Sequence, residues 1–206
     1  MEARTDAKAV AEAAAGVGKA PLARREGSIA AQSWRSIILY CDKAARAGVS
    51  WRGAQPVAWT PRGFNGAADR LAALTRAGPV DWAVGAAALH GWASGPEVRV
   101  RIFSDASRTE GHVTWAALVF VEVRRLWRLA AAASGRLASC TSVPAAEWVA
   151  AAQGWRLEAV TRRRAQTSSA GSSGGGARIG RPLAGAEVYW LELLTNLAWA
   201  QAPRGE

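Results

Sequence analysis

Three acids in this 206-residue chain stand where carboxylate chemistry could be built. Asp105 lies in Arg101-Ile102-Phe103-Ser104-Asp105-Ala106-Ser107, at the end of an alternating apolar run. Glu147 and Glu192 follow, each inside a segment with helical patterning. An acid at the end of a strand and another on a helix packed across that strand can converge on one divalent ion. Two such ions clamp the attacking and leaving oxygens of a phosphodiester, and Mg²⁺ prefers hard oxygen ligands. Each acid also has a plainer reading. Asp105 suits a turn, Glu147 suits the first turn of a helix, where it complements the dipole, and Glu192 suits the wet side of an amphipathic helix.

The elements that must position these acids are visible as patterns. Val98, Val100 and Ile102 alternate with Arg99 and Arg101, which predicts a strand. Residues 104–112 read as a polar turn, and Val113 to Val123 as a second strand. A third strand is expected within Leu126 to Leu129 or Arg136 to Ser142, because the alanines at 130–133 suit a strand poorly. Pro144 opens a short helix closing at Gly154, and Trp155 to Val160 reads as a further strand. Val188 to Ala200 is the last helix. Upstream, Ser28 is a candidate N-cap for a helix to about Ala47, and Asn65 to Ala77 carries helical spacing. The expected organisation is a poorly ordered leader over 1–27, a helical and loop region over 28–96, and a domain over 97–206 with a flexible linker at 165–180.

The balance of charge points to a polyanion. Lys+Arg is 26 against 16 Asp+Glu, a net charge of +10, and all but three of the cations are arginine. Guanidinium groups grip phosphate in a planar, bidentate way. Arg108 and the run Arg162, Arg163 and Arg164 are candidate nucleic-acid contacts, although such a run also reads as a solvated face. Coding bias toward Ala, Arg and Gly would raise the charge as well. Cys41 and Cys140 have no metal-site spacing and read as small buried residues. The eleven tryptophans read as the large core residues of an alanine-rich chain. No run reaches the ~20 apolar residues of a membrane span and no secretory signal is visible. An intracellular protein is expected, with nucleus or cytoplasm and the oligomeric state left open.

Phe103-Ser104-Asp105-Ala106-Ser107 resembles the first-strand motif of the ribonuclease H family, and Ala106 is similar to the retroelement and pararetrovirus members, including the DIRS-like group. Gly111 and Thr114-Trp115-Ala116-Ala117 resemble the second strand. Tyr189-Trp190-Leu191-Glu192-Leu193-Leu194 is similar to the Leu-Glu-Leu form of the first helix, and Ala146-Glu147-Trp148 is the weaker competitor. The resemblance implies an α/β fold, with a mixed sheet containing an antiparallel three-strand meander packed on helices. An N-terminal helical appendage, in the position of a thumb or connection remnant, would precede it. It implies a retroelement domain that cuts the RNA strand of an RNA–DNA hybrid by two-metal hydrolysis, read through backbone shape and 2′-hydroxyls. Asp105 and Glu192 would hold Mg²⁺, with Glu147 the alternative. The family carries a third acid on its fourth strand and a fourth toward its C-terminus, yet no aspartate follows Asp105 here. The metal cluster is therefore expected to be incomplete, which makes a non-catalytic nucleic-acid-binding or tethering module the second expectation. An interaction domain with an accidental motif match is the third.

Overall fold

A computed structural model describes residues 1–16, 27–50, 55–83, 98–109, 111–169 and 180–200. Six strands form one mixed sheet: β1 (Glu2–Thr5), β2 (Ala58–Trp59), β3 (Val80–Ala83), β4 (Val100–Thr109), β5 (His112–Val123) and β6 (Leu126–Leu137), in the order β2-β1-β4-β5-β6-β3. β4, β5 and β6 are the antiparallel meander, β3 adds antiparallel to β6, and β1 runs parallel to both β2 and β4. Five helices cover it: α1 (Lys8–Ala14), α2 (Ile29–Arg46), α3 (Gly66–Leu74), α4 (Val143–Ser169) and α5 (Gly185–Ala200). The molecule is thus α/β, as the residues suggest.

Alternation along the strands gives the sheet two apolar faces. Val100, Ile102, Val119 and Val121 pack with Val10 of α1, Ile37 and Cys41 of α2, and Trp148 and Trp155 of α4. Phe103, Leu118, Phe120 and Leu129 face Ala68 and Leu71 of α3 and Leu191 of α5 on the other side. A T-shaped pair of Trp34 and Trp148, with ring centroids 5.6 Å apart, ties α2 to α4. Among the tryptophans, Trp127, Trp148 and Trp155 are core residues, whereas Trp59 and Trp190 are about half exposed.

Several expectations are revised. Within the 1–27 leader, Glu2–Thr5 is an interior strand of the sheet and α1 packs into the core through Val10. Four residues are too short to stand out in a sequence, and the pairing to β4 spans about a hundred positions. The 28–96 region is no appendage, since it supplies α2, α3 and both outer strands. Strand β4 runs through the expected polar turn as far as Thr109, because Ser104, Asp105 and Ala106 pair with β5. Strand β6 runs through Ala130 to Ala133, where small side chains let helices close on both faces. Cys41 is buried as expected, but Cys140 is exposed. The expected linker is helical up to Ser169, and its remainder up to residue 179 lies outside the described residues, as does residue 97 of the expected strand.

Gly154 explains the largest revision. The helix expected to stop there continues to Ser169, absorbing the strand expected at Trp155 to Val160. A Cβ at Gly154 would lie 2.6 Å from Ile102 Cγ2 and 3.8 Å from Ala117 Cβ. This glycine is an approach point between α4 and the centre of the sheet, not a terminator. Gly154→Ala is therefore expected to push α4 off β4 and cost about 1–3 kcal/mol. Urea denaturation checks this, and an unchanged midpoint would show that the packing yields freely.

The open edge of β6 is closed by side chains. Strand β3 pairs only with Ala131 to Ser134. Beyond it, Asn196 of α5 accepts from Trp127 N–H (2.9 Å) and donates to Trp127 C=O (3.1 Å), as a neighbouring strand would. Glu192 accepts from Leu129 N–H at 3.0 Å. At the β5–β6 turn, Arg124 and Arg125 both have positive φ (52° and 66°), a two-residue geometry that suits Asn-Gly better. Replacing them by Asn and Gly is expected to stabilise the protein by about 0.5–1 kcal/mol in the same assay; a loss would mean the arginines make contacts that outweigh their backbone strain.

Candidate metal centre

The site is built where β1 stops. Its last paired residue, Thr5, lies against Ser104 of β4, and the chain turns away at Asp6. Strand β4 continues without that neighbour, so the next backbone groups on its edge need partners. Glu147, in the first turns of α4, fills the gap: its Oε1 accepts from Ala106 N–H at 3.2 Å. Asp105 shares the α3 side of the sheet with Phe103 by alternation, while Glu147 arrives from the α4 side. The carboxylates meet at the end of β1, with Asp6 as the third. One carboxylate oxygen from each of Asp6, Asp105 and Glu147 lies within 4.8 Å of the others.

The segment after β2 closes the site. Thr60 N–H donates to Thr5 C=O at 2.9 Å, holding this segment beside the end of β1. Asn65, fully buried, donates to Asp6 Oδ1 (3.1 Å) and to Ser104 C=O (3.0 Å). Asn65 thereby fixes the Asp6 carboxylate relative to β4. The Asp6, Asp105 and Glu147 side chains meet where β1 ends against its parallel neighbour β4.

Electrostatics here are unfavourable for a bare site. Burial pushes the Asp105 carboxyl well above its usual range, and the charges of Glu147, Asp6 and Asp69 add to the effect. Burial, and then Asp6, push Glu147 up to about 8, partly offset by the Ala106 N–H and by Arg62. Glu147 is 8 % exposed, and its Oε2 is buried with no hydrogen-bond partner. A buried carboxylate oxygen without a donor costs free energy. A divalent cation would relieve both the repulsion and that unmet acceptor, and the donor set of carboxylate oxygens fits Mg²⁺ or Mn²⁺.

The sequence-predicted residues divide cleanly. Asp105 and Glu147 are together, and Asp6 is the member that sequence reasoning missed. Glu192, the preferred helix acid, is elsewhere: its carboxylate is taken by Leu129 N–H and by Arg128 at 2.8 Å. In register, Leu129 lies opposite Phe120, whereas Asp105 lies opposite Ala116. Four strand residues separate those levels, about 13 Å, so Glu192 is a clamp on β6 rather than a partner of Asp105. Arg108 donates to the carbonyls of Ser139 and Thr141, bracing the approach to α4. Arg162 is largely buried and bound to Glu158 at 3.1 Å, which removes it as a phosphate contact, while Arg163 and Arg164 are exposed on α4. His112 is exposed at the β4–β5 turn.

Compared with protein-family models, curated proteins and solved structures, the chain matches none. Among the described residues, no helix is long and apolar enough to cross a membrane.

The raised carboxyls predict a pH dependence. Folded Asp105 and Glu147 hold protons that the unfolded chain releases near pH 4, so ν for the native state exceeds that for the unfolded state. Stability without divalent ions should then fall as pH rises from about 4 towards 8 and beyond. Thermal melts in EDTA across that range check it. Asp105→Asn should flatten the slope, and an equally steep slope in that variant would remove the site as its cause.

Proposed function

We propose that this protein is a ribonuclease H-like nucleic-acid-processing domain, of retroelement type, that hydrolyses the RNA strand of RNA–DNA hybrids with Mg²⁺. The observation that carries the reading is the convergence of Asp6, Asp105 and Glu147 at the end of β1, with a Glu147 oxygen left unpartnered. Asp105 stands on the strand whose sequence resembles the family's first-strand motif. Glu147 stands on a helix packed across that strand.

The third acid answers the apparent gap in the sequence. The resemblance calls for it on a later strand, after the helix. Here it follows β1, a strand that precedes the motif in the chain but lies parallel beside it in the sheet. On this reading a different order of connections would bring the third acid to the same strand pair. Asp69, in the first turn of α3, is a fourth acid near enough to raise Asp105.

Within this reading Asp6, Asp105 and Glu147 hold the cations. When bound, two divalent ions would neutralise charge on the attacking and leaving oxygens of an in-line phosphodiester displacement. Asn65 keeps the Asp6 carboxylate oriented, and the Ala106 N–H does the same for Glu147. Gly154 sets the depth of α4, and with it the reach of Glu147 towards Asp105. The net charge of +10 favours a polyanionic substrate.

Incubating the protein with a labelled RNA–DNA hybrid and Mg²⁺ tests the reading. Wild type is expected to cut the RNA strand, and Asp6→Asn, Asp105→Asn and Glu147→Gln are each expected to lose about 10²-fold or more, on the scale of losing one preorganised charge from a reaction centre. Glu192→Gln should retain cleavage if it still folds, as judged by its melt. Hybrid binding without any cleavage would favour the tethering module instead.

A further inference from the structure

Arg62 stands in the short 3₁₀ turn Arg62–Phe64 between β2 and α3. That turn is fixed beside the three carboxylates from both ends. Thr60 is hydrogen-bonded to Thr5, and Asn65 to Asp6. The guanidinium itself is mostly in solvent, with 79 % of its side chain exposed, and its hydrogen bond to Asp69 is long, at 3.4 Å. Arg99 holds Glu122 in a similarly loose pair, at 3.3 Å, but on the sheet away from the acids, whereas two other arginines that meet carboxylates are committed more firmly. Arg162 is buried against Glu158, and Arg101 is bound to Glu2 at 3.1 Å and stacked 4.0 Å from the Trp127 ring.

An exposed, long ion pair contributes little stability, because solvent screens it and the side chain gives up rotamer freedom to keep it. Exchanging such a partner costs correspondingly little. A phosphate offers a planar guanidinium two charge-assisted bonds in place of one. The rim position adds direction: Arg62 projects into solvent beside an acidic centre, where a polyanion approaching the cations must pass. The cation is also felt by the site, since Asp69, then Asp6 and Asp105, raise the Arg62 guanidinium, and Arg62 in turn lowers Glu147.

We propose that Arg62 is the substrate-phosphate anchor of this centre, parked on Asp69 in the free protein and transferred to a backbone phosphate of the nucleic acid when it docks. The inference rests on the reading of the acidic centre given above and adds to it the residue that positions the backbone over the acids. Asp69 acts as the resting partner that keeps the guanidinium at the rim, clear of the carboxylates.

The test separates cation binding from nucleic-acid binding. Affinity for a fluorescent RNA–DNA hybrid is measured by anisotropy in Ca²⁺ across a salt series, for wild type, Arg62→Ala, Arg62→Lys and Arg46→Ala. Arg46 is an exposed cation in the last turn of α2, so it controls for net charge. Arg62→Ala is expected to weaken binding roughly five- to tenfold and to reduce the salt slope by about one, the signature of one lost phosphate contact. Arg62→Lys should recover part of the loss, and Arg46→Ala should change affinity less than Arg62→Ala does. Divalent-cation binding, followed by calorimetry with Mn²⁺ alone, should persist in Arg62→Ala and be lost in Asp105→Asn. An Arg62→Ala protein with wild-type affinity and slope, or one matched by Arg46→Ala, overturns the anchor while leaving the metal centre intact. A wild type that takes up no Mn²⁺ overturns the centre itself, whatever Arg62 does.

Discussion

Three carboxyl groups held close together, two of them out of water, set the terms for this molecule. Asp105 and Glu147 are each more than nine-tenths buried, Asp6 joins them, and the cation that acts on them, Arg62, stands mostly in solvent. Charge in such a place is tolerated only if it is protonated, paired or coordinated. The surrounding structure holds the acids together against their repulsion. The end of β1 opens the space, Asn65 ties Asp6 to β4, the Ala106 N–H ties Glu147 to the same strand, and Gly154 lets α4 sit low enough for the reach. These restraints come from four separate parts of the chain, so the proximity of the carboxylates is a product of the whole fold.

The same sheet shows how a short chain manages its edges and its crossover. β1 is only four residues long but joins β2 to the meander, and it stops early enough to leave part of β4 unpaired. On the far side β3 is equally short, and α5 completes the edge with Asn196 and Glu192. Unpaired strand edges need covering, and the two uncovered stretches have different solutions. One is sealed by a helix that supplies complementary polar groups. The other is left to a carboxylate that keeps one oxygen free. That difference separates the structural acid, Glu192, from the one that can bind a ligand, Glu147.

Much of the meander was legible in the sequence. The alternation of Val98, Val100 and Ile102 and the β-rich run from Val113 mark two strands, and Asp105 stands out as one member of the acidic cluster. Ser28 announced α2, and its Oγ accepts from Ala31 N–H as an N-cap should. What was not legible depends on long-range packing. Asp6 follows a four-residue strand whose partners lie about a hundred positions away, and nothing in Glu2-Ala3-Arg4-Thr5 marks it as sheet. Ala130 to Ala133 lack strand propensity but fit a layer pressed from both sides. Gly154 looks like a stop signal until the neighbouring Ile102 is seen. Glu192 matched a motif better than Glu147 did, yet the sheet gave it a different task.

One location for a bound cation decides whether these carboxylates form a centre. Soaking crystals with Mn²⁺ and collecting anomalous diffraction places that ion without reference to activity. A peak within coordination distance of the Asp6, Asp105 and Glu147 carboxylates is the predicted result. Anomalous density confined to other acids, with none beside these three carboxyls at neutral pH, would contradict it.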